Sequence, residues 1–186
     1  IESTYSPIYH PAFFNIDYSV EKGGILTTSA LYQFFGGKAV TAMSVLDVNS
    51  NLSYFAQIFT RMGAAKIVST EPRKELFDLA RLLNQLHYTD NIEMRNDNIE
   101  QLDVQDSYDV IIMANDLWPV FYTEDAENQS LQKIDSLSSK YFICRSFVGH
   151  DEGRRYILAN SNFTSYDRIN IEMIKGKLFE VGVYKK

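Results

Sequence analysis

Strand-like and helix-like segments alternate along most of the chain, and this alternation limits the possible folds more than any other feature of the sequence. The strongest strand is predicted over residues 108–114 (YDVIIMA), a continuous apolar run of the kind that is covered on both faces. Further strands are predicted at 42–48, 65–70, 92–95 and 141–148, and helices at 54–62, 74–86, 124–139 and 152–160. Strands that alternate with helices favour a parallel sheet with helices on both faces.

The two ends of the chain depart from this alternation. Residues 1–24 are rich in aromatic side chains, contain two prolines and end in a Gly23-Gly24 break, which indicates an irregular arm, and a short helix is predicted at 25–35. Segments 168–174 and 178–184 are predicted to pair as a closing hairpin. The predicted fold class is therefore α/β, a doubly wound, mostly parallel seven-stranded sheet with a C-terminal antiparallel hairpin.

Charge and cysteine content narrow the classes of partner. Eighteen basic and 24 acidic side chains give a net charge of −6, which lacks the basic surplus that binding to nucleic acid phosphates requires. Cys144 is the single cysteine, so it cannot form an internal disulfide; a reducing compartment and a buried structural thiol are expected. No apolar run reaches the roughly 18 residues of a membrane span. We expect a cytoplasmic protein without a nucleic acid or membrane partner.

Polar side chains follow four of the predicted strands. Ligands of open α/β sheets bind outside the carboxyl ends of the strands, where the strand order reverses. The residues selected by this rule are Asp47, Asn49, Asn51 and Ser53 after the first strand, Glu71 after the second, Asp97 and Asn98 after the third, and Asn115 and Asp116 after the fourth. A carboxylate such as Glu71 can accept hydrogen bonds from both hydroxyls of a ribose, which predicts a nucleoside-containing ligand. The alternative is that Glu71 only caps the helix that follows.

The loop after the first strand contains no glycine. A dinucleotide fingerprint needs glycines so that the backbone can approach a pyrophosphate closely, and nicotinamide-dependent reduction is therefore disfavoured. Asparagine tolerates positive φ better than other residues with a side chain, so Asn49 and Asn51 are suited to form the turn. Ser53 is predicted to cap the next helix.

The segments around the first two strands resemble a known family, the class I S-adenosylmethionine-dependent methyltransferases. The segments in question are 45–55 (VLDVNSNLSYF) and 67–72 (IVSTEP). They are most similar to the FkbM-type branch, in which a VLDVGANxGYF-like segment is followed by an EP dipeptide, although Asn49 and Ser53 stand where that branch has glycines. Residues 96–100 (NDNIE) are similar to the loop that contacts adenine, and the closing hairpin is similar to the last two strands of this fold.

The resemblance implies a cofactor, S-adenosylmethionine (SAM), and roles for the residues at the strand ends. It places Asp47 near the methionine amino end, Glu71 at the ribose, and Asp97 with Asn98 at adenine. The other candidate cofactor-binding residues are Asn49, Asn51, Ser53 and Asn115. The catalytic candidates are His10, Asp116 and His150, and no metal-ligating set is predicted.

The predicted function is methyl transfer from SAM to a small-molecule acceptor, in particular a hydroxyl group. The alternative is a non-catalytic methyltransferase-like domain used for binding or as a scaffold, because the side chains of the glycine-free loop could fill the cofactor pocket. One structural domain is expected, with residues 1–38 as an aromatic arm and helix, a candidate lid, and 39–186 as the methyltransferase-like part. The chain begins at Ile1 rather than at a methionine, so its true N-terminus is an open question.

Overall fold

The computed structural model describes residues 18–36, 40–87, 89, 91–103, 105–117, 124–148, 151–174 and 177–186. The helices are α1 (Tyr18–Phe35), α2 (Tyr54–Arg61), α3 (Lys74–Leu86), α4 (Glu124–Leu137) and α5 (Asp151–Ala159). The strands are β1 (Ser44–Asp47), β2 (Lys66–Thr70), β3 (Ile92–Arg95), β4 (Tyr108–Leu117), β5 (Ser138–Phe147), β6 (Ser165–Ile174) and β7 (Lys177–Lys185).

The strands form one seven-stranded sheet in the order β3-β2-β1-β4-β5-β7-β6. The first five strands of the chain are parallel, and β7 lies antiparallel between β5 and β6. The predicted fold class is therefore confirmed, including the closing hairpin. The strand order reverses between β1 and β4, so the carboxyl ends of β1 and its neighbours form the edge at which a ligand is expected.

Two apolar clusters cover the two faces of the sheet. Neighbouring residues of one strand point to opposite faces, so Val45 packs in the cluster with α1 and α2, whereas Leu46 packs in the cluster with α4 and α5. Ile112 and Ile111 of β4 divide in the same way. The burial of both faces explains why the central strands consist of continuous apolar runs. It also gives the strand ends a rigid support.

Helix α1 begins at Tyr18, seven residues earlier than predicted, and it passes through Gly23-Gly24. The prediction of a break at these glycines was wrong. Each glycine costs a helix roughly 1 kcal/mol relative to alanine, and tertiary packing of the same helix can offset this cost. Leu31 and Phe35 are buried, and the Phe35 ring meets the Phe59 ring of α2 edge-on at 5.7 Å.

Strand β4 is longer than predicted and contains the backbone of Asn115 and Asp116, which we had placed after the strand. Asp47, the last residue of β1, is level with Ile112, so β4 continues for five residues beyond its neighbour. Pairing with β5 resumes at Leu117 after an irregularity, and this pairing extends the strand. The two polar residues therefore lie on an extended strand segment beside β5.

Cys144 behaves as predicted for a structural thiol. It is buried in β5, and burial raises the pKa of the thiol, so the sulfur stays protonated. Among the helices that the structure describes, none is both long and apolar enough to cross a membrane. Within the same described ranges, no group of three or more His, Cys, Asp and Glu side chains is arranged to hold a metal ion.

Candidate functional site

The loop between β1 and α2 has a left-handed backbone conformation at three positions that carry side chains. The φ angles are 51° at Asn49, 54° at Asn51 and 60° at Ser53. This conformation costs an L-residue roughly 1–2 kcal/mol, and less for asparagine, which visits it more readily. The loop thus follows a path that suits glycine although it contains none. The expectation that Asn49 and Asn51 form the turn is confirmed.

Backbone hydrogen bonds fix this loop to the neighbouring strands. The amide of Ser50 donates to the carbonyl of Thr70 at 2.8 Å, and the amide of Val48 donates to the carbonyl of Ile112 at 2.9 Å. These two contacts tie the loop to the end of β2 and to the middle of β4, on either side of β1. The strained conformation is therefore held by its surroundings, as such conformations must be.

Asp47, rather than Ser53, caps helix α2. The Oδ2 atom of Asp47 accepts a hydrogen bond from the amide of Ala56, the third residue of the helix, at 3.1 Å. Ser53 makes no capping bond; its Oγ contacts Ser69 Oγ at 3.0 Å and Met94 Sδ at 3.0 Å instead. The prediction for Ser53 was wrong because N-cap residues need a β-region backbone, and the left-handed conformation directs this side chain elsewhere.

Burial governs the electrostatics of Asp47. It raises the pKa of the carboxyl to about 8, a rise that the hydrogen bond from the Ala56 amide opposes and the charge of Glu71 reinforces. The Asp47 side chain is fully buried, and within the described structure its Oδ1 atom has no hydrogen-bond partner. At neutral pH the carboxyl is therefore mostly protonated, and a cation placed beside it would favour ionisation.

Three further polar side chains next to Asp47 are buried with an unpaired atom. They are Ser50 (Oγ), Asn51 (Nδ2) and Thr70 (Oγ1), for which the described residues offer no partner. An unpaired buried polar atom costs about 1–3 kcal/mol, so native proteins rarely leave several together unless a ligand or water completes them. These atoms surround the carboxyl ends of β1 and β2. The site therefore has unused hydrogen-bonding capacity for a polar ligand: an acceptor at Asp47, a donor at Asn51 and the hydroxyls of Ser50 and Thr70.

Glu71 follows β2 and is fully buried. Its carboxylate accepts four N–H groups: the amides of Asn51 (2.8 Å) and Arg73 (3.0 Å), and the guanidinium Nε (2.6 Å) and Nη2 (3.0 Å) of Arg73. Nη2 of the same arginine also donates to Asn51 Oδ1 at 2.9 Å. Glu71 does not cap α3, since the amide that it binds belongs to the residue before the helix. Its carboxylate joins the β1–α2 loop to the β2–α3 turn.

The end of β3 contacts the Glu71 turn through Asn96. The Asn96 amide group donates to the carbonyls of Glu71 (2.7 Å) and Pro72 (3.1 Å). Asp97, which comes next, is half-buried, and Asn98 is exposed. Asn98 donates its backbone amide to Gln101 Oε1 at 2.7 Å and so starts a single 3-10 turn. The third strand end therefore lies against the second.

Comparisons with known proteins bear on the fold of the chain. No family model matches the chain. Ribosomal protein L11 methyltransferase of Lactobacillus gasseri is 29% identical over 111 residues, which cover 56% of this chain and 35% of that protein. The chain thus spans about a third of the length of this curated relative.

Two solved structures illustrate the similarity. The magnesium protoporphyrin IX methyltransferase of Synechocystis PCC 6803, with bound SAM, has a TM-score of 0.72 at 14% identity, covering 92% of this chain and 85% of that one. The ribosomal protein L11 methylase of Lactobacillus delbrueckii subsp. bulgaricus has a TM-score of 0.62 at 16% identity, covering 86% and 79%. The chain has the methyltransferase-type Rossmann-like fold. The resemblance is thereby confirmed at the level of the fold, whereas the FkbM-type branch stays a prediction.

Within this methyltransferase fold, the predicted site residues fall into three groups: those at the ends of β1, β2 and β3, those on β4, and those outside the described residues. Those at the ends of β1, β2 and β3 lie on adjacent strands, and hydrogen bonds link the three ends. On β4 the structure describes the backbone of Asn115 and Asp116. His10 and His150 lie outside the described residues.

Sequence reasoning missed Arg73, Asn96, Ser50 and Thr70. Arg73 and Asn96 were detectable in principle. Arg73 stands two residues after Glu71, within reach of its carboxylate, and Asn96 directly follows a predicted strand. Ser50 and Thr70 gave no distinctive signal, because hydroxyl residues are common near strand ends and only the fold shows that theirs are buried without partners.

Proposed function

We propose that the chain is a SAM-dependent methyltransferase that acts on a small-molecule acceptor, in particular a hydroxyl group. The observation that carries the proposal is the set of unpaired buried polar atoms around the ends of β1 and β2, beside the Glu71 carboxylate. Proteins with the same fold have been crystallised with bound SAM and with bound S-adenosylhomocysteine (SAH). An amino acid joined to a nucleoside would supply the hydrogen-bonding groups that these atoms lack.

The proposed cofactor contacts are those that the resemblance implies. Asp47 would face the methionine ammonium, because Oδ1 is its unpaired acceptor. Glu71 would hold the ribose hydroxyls, and Asp97 with Asn98 would contact adenine. The other residues proposed to bind the cofactor are Asn49, Asn51, Ser53 and Asn115. We also propose that the β1–α2 loop is an FkbM-type first motif whose glycine positions are taken by Asn49 and Ser53.

Catalysis in this proposal depends mainly on positioning. SAM supplies a sulfonium methyl group that is open to in-line displacement. The chain orients the acceptor, excludes water and provides a base if the acceptor is a hydroxyl. The proposed bases are Asp116, at the far end of β4, and His10 and His150. Residues 1–38 are proposed as the lid, and 39–186 as the methyltransferase-like part of one domain.

The acceptor is the least constrained part of the proposal. The names of similar proteins mention a ribosomal protein and a magnesium porphyrin, so the fold itself accommodates acceptors of very different size. The net charge of −6 disfavours a nucleic acid phosphate backbone. Residues 115–118 (NDLW) also lack the Asn-Pro-Pro-aromatic motif of methyltransferases that act on amino groups of DNA or of protein glutamine. A small hydroxyl compound is neither a nucleic acid nor an amino-group acceptor, so both observations are compatible with it.

A second candidate function, a non-catalytic binding domain, is favoured by one specific observation. The Glu71 carboxylate already accepts four N–H groups, which fill the roughly four lone-pair positions of a carboxylate. A ribose could bind there only if some of these donors left. If the arginine never leaves, the fold would remain without its cofactor.

Calorimetric titration with SAH separates the two candidates. The enzyme proposal expects saturable binding, and SAH at 100 times its dissociation constant should stabilise the protein by about 2.7 kcal/mol. The Glu71→Gln variant should bind more weakly because a neutral amide accepts hydroxyl hydrogen bonds less strongly. Lys74→Ala is the matched control, since Lys74 pairs with Asp78 on the exposed face of α3. The absence of any SAH effect would leave the binding-domain candidate, and a response to a nicotinamide dinucleotide would contradict both.

A further inference from the structure

Arg73 takes up half of the acceptor capacity of Glu71. Two of the four donors are backbone amides, of Asn51 and of Arg73 itself, and these are fixed by the turns that they belong to. The other two are the guanidinium Nε and Nη2 atoms. A ribose diol also presents two hydroxyl donors. The guanidinium and the diol therefore require the same pair of positions on one carboxylate.

The arginine side chain has room to leave. Glu71 is fully buried, whereas 43% of the Arg73 side chain is exposed, so the guanidinium covers the carboxylate from the solvent side. Its departure would leave the two amide donors in place and would also release Asn51 Oδ1, which Nη2 now holds. The carboxylate would then remain oriented by the backbone, with two acceptor positions open.

We propose that Arg73 is an internal competitor of the cofactor ribose: its guanidinium occupies Glu71 in the empty site and must release it before the cofactor binds. This inference rests on the proposed function. It makes Arg73 the residue that sets cofactor affinity, because the affinity of any ligand falls in proportion to the fraction of molecules whose site is open. It also explains why the Glu71 carboxylate is fully paired, whereas nearby buried side chains such as Asp47 each keep an unpaired polar atom.

The test is calorimetric titration of the full chain with SAH, comparing the wild type with Arg73→Met. Methionine keeps most of the aliphatic stem of arginine and removes the donors, while the backbone amide that binds Glu71 is retained. We expect the variant to bind SAH about tenfold more tightly, the factor expected when a charge-assisted contact no longer competes. Lys74→Ala, which removes a cation one residue away, should leave the affinity unchanged. Urea denaturation of each variant verifies that it folds.

Two further comparisons isolate the ribose. Arg73→Met should bind adenosine more tightly than the wild type does, but it should show no such gain for 2′,3′-dideoxyadenosine, which lacks the competing hydroxyls. In a Glu71→Gln background, Arg73→Met should lose most of its effect, because the two groups act through one carboxylate.

The outcomes distinguish the inference from the function on which it rests. If the wild type binds SAH and Arg73→Met binds it equally well or more weakly, the inference is overturned and the methyltransferase proposal stays intact. A gain of equal size for adenosine and the dideoxy compound would also overturn it. Binding by Arg73→Met alone would support it and would mean that the arginine locks the native site. No binding by any of the proteins would overturn both proposals.

Discussion

Replacing Asp47 by asparagine should remove a specific pH dependence from the stability of the fold. Burial raises the pKa of the Asp47 carboxyl from 3.8 to about 8 in the folded protein. The unfolded chain releases the proton near the ordinary value, so between these two limits the folded state binds more protons than the unfolded state. Raising the pH through this interval therefore favours unfolding, and the stability that is present below pH 3.8 is lost progressively up to about pH 8.

The size of the effect follows from the pKa difference. For a group that holds its proton only in the folded state, each unit by which the pH rises lowers the free energy of unfolding by about 1.4 kcal/mol. Between pH 5 and pH 8 the wild type should thus lose roughly 4 kcal/mol through Asp47 alone. Asparagine has nearly the same shape, stays neutral throughout and still offers an acceptor to the amide of Ala56. The Asp47→Asn variant should resemble the wild type below pH 3.8, where both side chains are neutral in the folded and the unfolded state, and become progressively more stable than the wild type above it.

Urea denaturation at half-unit steps from pH 5 to pH 8 gives the free energy of unfolding by linear extrapolation. The quantity to compare is the difference between variant and wild type at each pH, which cancels the titration of all other groups. Asp109→Asn is the matched control. Burial tends to raise the pKa of Asp109, but hydrogen bonds from Lys140 and Ser44 outweigh this and lower it, so Asp109 stays ionised across the interval. Its difference from the wild type should not vary with pH. A difference for Asp47→Asn that is equally flat would refute the reasoning.

Substitutions at three other positions test the β1–α2 loop, the β2–α3 turn and the end of α2. Ser53→Ala keeps the left-handed backbone and loses a buried hydroxyl contact, so it should lower the free energy of unfolding by about 1 kcal/mol. Ser53→Gly loses the same contact but relieves the backbone, so its free energy of unfolding should be about 1 kcal/mol higher than that of Ser53→Ala. Equal stability of the two variants would contradict a conformational cost. Asn96→Ala loses two hydrogen bonds to the β2–α3 turn. It should weaken SAH binding several-fold in calorimetry, and it should lower the free energy of unfolding by about 1 kcal/mol. Gly63→Ala should cost about 1–2 kcal/mol in urea denaturation, because Gly63 has φ +85° and the new Cβ would lie 3.1 Å from Thr41 Cγ2; an unchanged midpoint would be the contrary result.

Most of the fold could be predicted because its signal is periodic and strong. The central strands are apolar runs buried on both faces, and a polar turn and an amphipathic helix follow β1 and β2. The errors lie where tertiary contacts override a local signal. Gly23-Gly24 reads as a break, yet packing of α1 carries the helix through it. β4 extends past its apolar run to Leu117 because β5 supplies a partner.

The candidate site residues could be selected from the sequence, but their contacts could not be predicted. The rule about strand ends selected Asp47 and Glu71, and both are buried at the ends of their strands. Their partners were out of reach, because a sequence does not show which neighbour a carboxylate binds. Asp47 turned out to cap a helix and Glu71 to bind Arg73, and each contact depends on a side-chain direction that only the folded loop defines.

The glycine-free loop shows how the backbone cost and the binding capacity of this site are connected. Glycine at positions 49, 51 and 53 would adopt the left-handed conformation freely but would offer no side chain. Asn51 provides Oδ1 to the arginine, and Ser53 provides a buried hydroxyl that contacts Ser69 at the end of β2. These contacts offset part of the conformational cost and tie the loop to β2, where Glu71 follows. The absence of glycine from this loop therefore does not by itself argue against the proposed cofactor binding, which depends on the release of the Glu71 carboxylate by the guanidinium of Arg73.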